Sequence, residues 1–328
     1  MSSLRAARQE RVFDAMDAAG LDVLVLGRRD SIAYATGHQS LWTAGTRPFG
    51  AACVLVGATG RSTHLLSTWD AGVPPEIPFD HLYGVTWNPA VMGAALRGIP
   101  GLPEARRIGV DALSPGFARA AARLAPDAEL VPADDVLRDV RTVKLPVELE
   151  GIRAATAIAG LGFAAAVETL EQGSGPANAL AAAHRAMASR GATVPSSAPL
   201  VRRVGSLMQL DFGVLLGGYE GGLGRTTHLG LAGGKAVPSQ DDPADPSVEA
   251  QKHLLAACRP GATGRVLRAA VRPPSRWMVR GSGVGFEPPV ITHTVGADAV
   301  IENGMVLSVE VEVDGWHRRD LVHIGEPL

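Results

Sequence analysis

Two acidic residues lie where a folding chain can least easily carry a charge. Asp211 falls within Met208 to Leu216 and Glu310 within Val306 to Val313, and both runs read as β-strands. Their neighbours Met208, Leu210, Phe212, Val309 and Val311 are apolar, so both strands are bound for a core. A carboxylate there needs a metal ion, a cationic side chain or a bound amine as partner. Arg225 and Arg319 are arginines that can supply one.

At 328 residues, 46 % hydrophobic and 20 % charged, the chain can build two cores. Its net charge is −2, and its arginines are scattered without interleaved aromatic residues, which excludes a nucleic-acid face. The two cysteines, Cys53 and Cys258, are far apart, so a disulfide framework is not expected. No apolar signal core follows Met1 to Gln9, and no apolar run reaches the roughly 20 residues of a membrane span. Cytoplasmic localisation, with no membrane partner, is the expectation.

Residues 4–19 read as an amphipathic helix ended by Gly20. Strands follow at Leu21 to Leu26, Ala51 to Val56 and Ile108 to Val110, alternating with helices at Asn88 to Leu96 and from Ser114-Pro115. This alternation defines an α/β layer domain over 1–145. A long helix then runs from about Val147 to Leu170 and a second from Ala177 to Ser189. Beyond them the character changes to strands at Met208 to Leu216, Thr227 to Leu231, Val306 to Val313 and Leu321 to Ile324. Helices are expected at Val248 to Cys258 and from Thr263 to Pro273-Pro274.

Four C-terminal segments occur in a telling order: Leu210-Asp211-Phe212-Gly213, Gly218-Tyr219 to Arg225-Thr226, Gly281-Ser282-Gly283-Val284-Gly285 with Glu287-Pro288-Pro289, and Glu302-Asn303-Gly304-Met305-Val306-Leu307-Ser308-Val309-Glu310. Together they resemble the superfamily of creatinase, aminopeptidase P and prolidase. Val140-Arg141-Thr142-Val143-Lys144, with Glu148 and Ile152-Arg153, resembles that family's domain junction, and Tyr34-Ala35-Thr36-Gly37 its N-terminal domain. The resemblance implies an α/β N-terminal domain over 1–145 and an α+β pita-bread domain over 146–328, a curved antiparallel sheet covered by helices.

The family's chemistry uses two divalent metals held by carboxylates and one histidine. Carried over by resemblance, the first aspartate is Asp211 and the first glutamate Glu310. The second aspartate falls on Gly222 and the histidine on Ser282. The last glutamate falls on Arg319, or on Asp320 if the match slips by one residue. The implied metal set is too small for a dimetal centre, so no metal and no cofactor are expected. A creatinase-type histidine upstream of Asp211 is also missing, because residues 191–210 contain none.

Asp211 and Glu310 are the candidate catalytic residues. Candidate substrate-binding residues are Arg47, Trp42, Tyr219, Arg225, Ser282, His293, Arg319 and Asp320. Tyr219 also reads as packing, Ser282 as a structural turn serine, and His293 as a surface residue or one at the pocket mouth. His228 and His323 are candidates for a missing base. By resemblance, the loop from His38 to Phe49 reaches the partner's pocket, with Arg47 on a substrate carboxylate and Trp42 as a wall, which implies a homodimer. The leading expectation is a metal-independent hydrolase-fold enzyme for a small amino-acid-like molecule. The alternatives are a non-catalytic binding module and an Xaa-Pro-type metallopeptidase with a reduced site of Asp211, Glu310 and Asp320.

Overall fold

The computed structural model describes residues 2–38, 53–57, 60–66, 73, 76–84, 89–111, 115–228, 244–271 and 275–325. It divides into two compact units, Met1–Arg141 and Thr142–Leu328.

In the first unit, strands β1 (Val23–Leu26), β2 (Cys53–Val56), β3 (Ser62–Leu65), β4 (Arg107–Val110) and β5 (Glu129–Pro132) form one sheet in the order β3-β2-β1-β4-β5. β1, β4 and β5 are parallel, and β2 and β3 run antiparallel beside them. Helices α1 (Ser2–Ala18), α2 (Arg29–Thr36), α3 (Pro89–Arg97), α4 (Pro115–Leu124) and α5 (Asp134–Thr142) accompany the sheet. Val23, Val25, Val54, Ile108, Val110 and Phe117 are buried in its main core. Gly20 closes α1 with φ 64°, a value that favours glycine. Trp42 and Arg47 lie outside the described residues.

The second unit opens with α6 (Pro146–Glu171) and α7 (Pro176–Ala188). Pro146 starts α6, where its missing N–H costs nothing. α6 is also long and apolar enough, by length and composition, to cross a membrane, a test that a core helix with one buried face passes as well. Its buried side chains Ala155, Ala159 and Phe163 pack with Met208, Leu210, Phe212 and Val214. Burying one such large side chain contributes about 1.5–3 kcal/mol.

Strands β6 (Val194–Pro195), β7 (Leu200–Val204), β8 (Leu207–Leu216), β9 (Tyr219–His228), β10 (Arg276–Gly283), β11 (Gly285–Ile291), β12 (Val306–Val313) and β13 (Trp316–His323) form the large sheet. Its order is β11-β10-β12-β13-β9-β8-β6, with β7 also on β8, and its pairs are antiparallel. Helices α8 (Pro246–Ala257) and α9 (Gly264–Ala270) cover the β10–β12–β13 side, where Leu254 and Leu267 pack with Val279, Leu307, Val309 and Val311. Strand alternation then sends Asp211, Ser308 and Glu310 to the opposite, inner face.

Two sequence readings change here: the strand expected from Thr227 already begins at Tyr219, and Ser282, read as a turn serine, lies within β10 beside the tip of the β10–β11 hairpin. Glycine weakens the strand signal, yet the glycines of these strands admit close neighbours. A Cβ on Gly221 would lie 2.1 Å from the Ala155 carbonyl carbon of α6.

Candidate functional site

One row of residues crosses the inner face: Asp211 on β8 pairs with Gly224 on β9, Gly224 with Arg319 on β13, and Arg319 with Glu310 on β12. Gly224 has no side chain, so Arg319 reaches over it to Asp211. Its Nε donates to Asp211 Oδ2 at 3.0 Å, its Nη2 donates to Asp211 Oδ1, and Nη2 also donates to the Phe212 carbonyl at 3.1 Å. The Arg319 and Asp211 side chains are 3 % and 11 % exposed, so this pair is screened little by water.

A second buried pair abuts the first. Arg280 on β10 donates two hydrogen bonds to Glu220 on β9, Nη1 to Oε2 at 2.7 Å and Nη2 to Oε1 at 2.5 Å. Ser282 Oγ donates to Glu220 Oε2 at 3.0 Å, and Ser196 Oγ to Glu220 Oε1 at 3.2 Å. Arg319 Nη1 stands 3.7 Å from Glu220 Oε1 and links the pairs. The result is a ladder of alternating charge: Asp211, Arg319, Glu220, Arg280.

His317 joins the ladder beside Asp211, with Nε2 2.6 Å from Asp211 Oδ2. An ionised carboxylate only accepts, so Nε2 carries the proton there. Nδ1 of the same ring is 3.9 Å from Glu310 Oε1. The Glu310 side chain is 36 % exposed, the most open member of this group.

Burial pushes the Asp211 carboxyl up, but the His317 hydrogen bond and the charge of Arg319 more than offset it and hold it below the ordinary aspartate value. Glu220 is likewise lowered, with burial opposed by Arg280, Arg319 and Ser282. Burial disfavours the charge on Arg319, and Asp211, Glu220 and Glu310 reverse that, so its pKa rises.

Four expected site residues lie elsewhere. Tyr219 points to the helix face, where its hydroxyl donates to Glu148 Oε1 at 3.0 Å, and it packs against Gly151. Arg225 and Asp320 alternate away from the inner face and pair with each other at 2.6 Å. Asp320 is opposite Val309 in the ladder, so the one-residue slip that would make it a partner of Glu310 does not occur. His293 is exposed; it hydrogen-bonds the Ser275 carbonyl at 2.8 Å and stacks edge-on against Trp277, which belongs to the helix-side core. Of the other histidines considered as a base, His228 stacks against Trp316 at the far end of β9, with ring centroids 5.2 Å apart.

Asp211, Ser282, Arg319 and Glu310 therefore come together, and His317, Glu220 and Arg280 join them unannounced. Once β9, β10 and β13 are placed, alternation marks these three, since each lies two residues from a position already singled out: Arg319, Gly222 and Ser282.

The fold and this face define a class: a creatinase/prolidase-type α/β domain followed by a pita-bread domain. The model of metallopeptidase family M24 matches residues 150–326, and that of the creatinase/prolidase N-terminal domain matches residues 8–143. The chain belongs to metallopeptidase family M24. It is similar to the Xaa-Pro dipeptidase of Pyrococcus horikoshii, 24 % identical over 92 % of this chain and 88 % of that protein. The Xaa-Pro dipeptidase of Pyrococcus furiosus is 26 % identical over 54 % of this chain and 57 % of that protein. The solved prolidase of Pyrococcus horikoshii OT3 superposes with TM-score 0.72 at 20 % identity, covering 98 % of this chain and 96 % of that one. The X-Pro aminopeptidase of Thermotoga maritima gives TM-score 0.73 at 18 % identity, covering 97 % and 94 %. Both structural likenesses concern the fold.

The family name implies a metal, so the donor set must be tested against one. Among the described residues, no group of three or more His, Cys, Asp or Glu side chains is placed to hold an ion. Arg319 takes both oxygens of Asp211. A Cβ on Gly222 would lie 2.7 Å from Arg319 Nη1 and Nη2, so an aspartate there would require this guanidinium to leave its present position. A dication about 4 Å from the guanidinium would be repelled by about 8 kcal/mol even at an effective dielectric near 20. These residues do not fit a two-metal centre.

Proposed function

We propose that this chain is a hydrolase-fold enzyme that cleaves a C–N bond of a small amino-acid-like molecule without a two-metal centre. The observation that carries the reading is the Arg319 guanidinium, hydrogen-bonded to both oxygens of Asp211 in the space beside Gly222. Glu310 is the half-open carboxylate of the face, with His317 beside it. It can take a proton from an attacking water and return it to the leaving nitrogen. Asp211 is committed to Arg319 and His317, so its role is to position them. Arg47 on a substrate carboxylate, Trp42 as a wall and a homodimeric assembly complete the proposal. Xaa-Pro dipeptides are the first substrates to assay, because both curated relatives are named for them. Turnover by the wild type that is lost in Glu310→Gln, with folding unchanged, supports the reading. Turnover unchanged in that variant contradicts it.

The relatives' names also favour a second reading, an Xaa-Pro-type metallopeptidase with a reduced site. That reading requires divalent metal in the purified protein and activity abolished by chelation. Asp320, which it uses as a ligand, faces away from Glu310.

A further inference from the structure

The niche around the Arg319 guanidinium has a shape and a donor–acceptor pattern of its own. Its edges are acceptors: both oxygens of Asp211, the Phe212 carbonyl at 3.1 Å and Glu220 at 3.7 Å. Its walls include glycine backbones, since a Cβ on Gly222 would lie 2.7 Å from Nη1 and one on Gly213 3.3 Å from Nη2. Acceptors along its edges and close glycine walls, with the Ser196 and Ser197 hydroxyls beside Gly213, match a planar cation with a fixed fork of N–H donors. A divalent metal would instead need several anionic or imidazole donors converging on one point.

We infer that Arg319, Gly222 and Asp211 form one unit in which a tethered guanidinium is the resident cation of the inner face, in a niche that selects a guanidinium over a divalent metal. The inference rests on the reading above only in treating the metal pair as displaced; it does not depend on turnover. Truncating Arg319 would leave Asp211 and Glu220 with Arg280 as the one remaining arginine of the ladder. The emptied niche would then carry net negative charge, with Asp211, Glu220 and Glu310 facing it and one arginine left, and the outline of the lost group.

The test is thermal unfolding of full-length Arg319→Ala with millimolar ethylguanidinium, which restores the atoms removed, and separately with Mn²⁺ and Zn²⁺. The variant is expected to melt several degrees below the wild type. Ethylguanidinium should raise its Tm by several degrees and leave the wild type unmoved, while neither metal should raise it. A rise with Mn²⁺ or Zn²⁺ equal to that with ethylguanidinium, or no rise with any of the three, overturns the inference. If the variant does not fold unaided, refolding yield under the same additives gives the same decision. A wild type inactive on every substrate would defeat the functional reading and leave this result untouched.

Discussion

Arg319 on β13 and Asp211 on β8 meet across the bare Gly224 of β9 on the inner face of the sheet. Both side chains are buried, and each neutralises the other's desolvation cost. Removing Arg319 takes away the guanidinium partner of a buried carboxylate and leaves it the His317 hydrogen bond, and breaking such a buried pair costs up to about 3–5 kcal/mol. Urea unfolding of Arg319→Ala should show a loss of that size, and the double variant Asp211→Asn/Arg319→Met a smaller one. Equal losses in the two would mean that the pair is not coupled.

Acid should act through the same pair. The pKa values of Asp211 and Glu220 are lower in the folded chain than their ordinary values. Groups depressed in this way stabilise fully above the ordinary carboxylate range and lose that contribution as pH falls through it towards the folded value. Stability should therefore drop below about pH 4. The drop should be shallower in Asp211→Asn, as read from urea midpoints between pH 7 and pH 3. Parallel curves for the two proteins would remove Asp211 from the explanation.

The adjacent glycines of β9 should differ in tolerance. A Cβ on Gly221 meets α6 backbone at 2.1 Å, whereas one on Gly222 meets the end of the Arg319 side chain at 2.7 Å. Backbone cannot yield as a side chain can. Gly222→Ala should cost about 1–3 kcal/mol, and Gly221→Ala distinctly more. The reverse order of melting temperatures would place α6 or Arg319 wrongly.

Tyr219 and Glu310 separate packing from chemistry. Tyr219→Phe removes a buried hydrogen bond to Glu148 and should cost about 1–2 kcal/mol with kcat unchanged. Glu310→Gln should keep the wild-type Tm within a degree or two and lose turnover. A Tyr219→Phe enzyme with reduced kcat at full stability would return that hydroxyl to the site.

Much of this was legible in the sequence, because apolar alternation marks β8 and β12, and with them the facing of Asp211 and Glu310. β9 and β10 were not, since Gly221, Gly222, Gly224, Gly281 and Gly283 mask a strand period that tertiary contacts impose. Without β9, the facing of Tyr219 and Arg225 was undetermined, and Glu220 drew no attention. Asp320 was ambiguous because one residue of register in β13 flips every side chain to the other face. His317 carries no sequence signal for the same reason: its place beside Asp211 depends on the β13–β9–β8 pairing.

The most direct measurement is the divalent-metal content of protein purified without chelator and then equilibrated with Mn²⁺, Zn²⁺ and Co²⁺. A resident guanidinium at Asp211 leaves well under one metal ion per chain and a Tm that chelation does not move. One or two ions bound per chain, removable with loss of Tm, would contradict it.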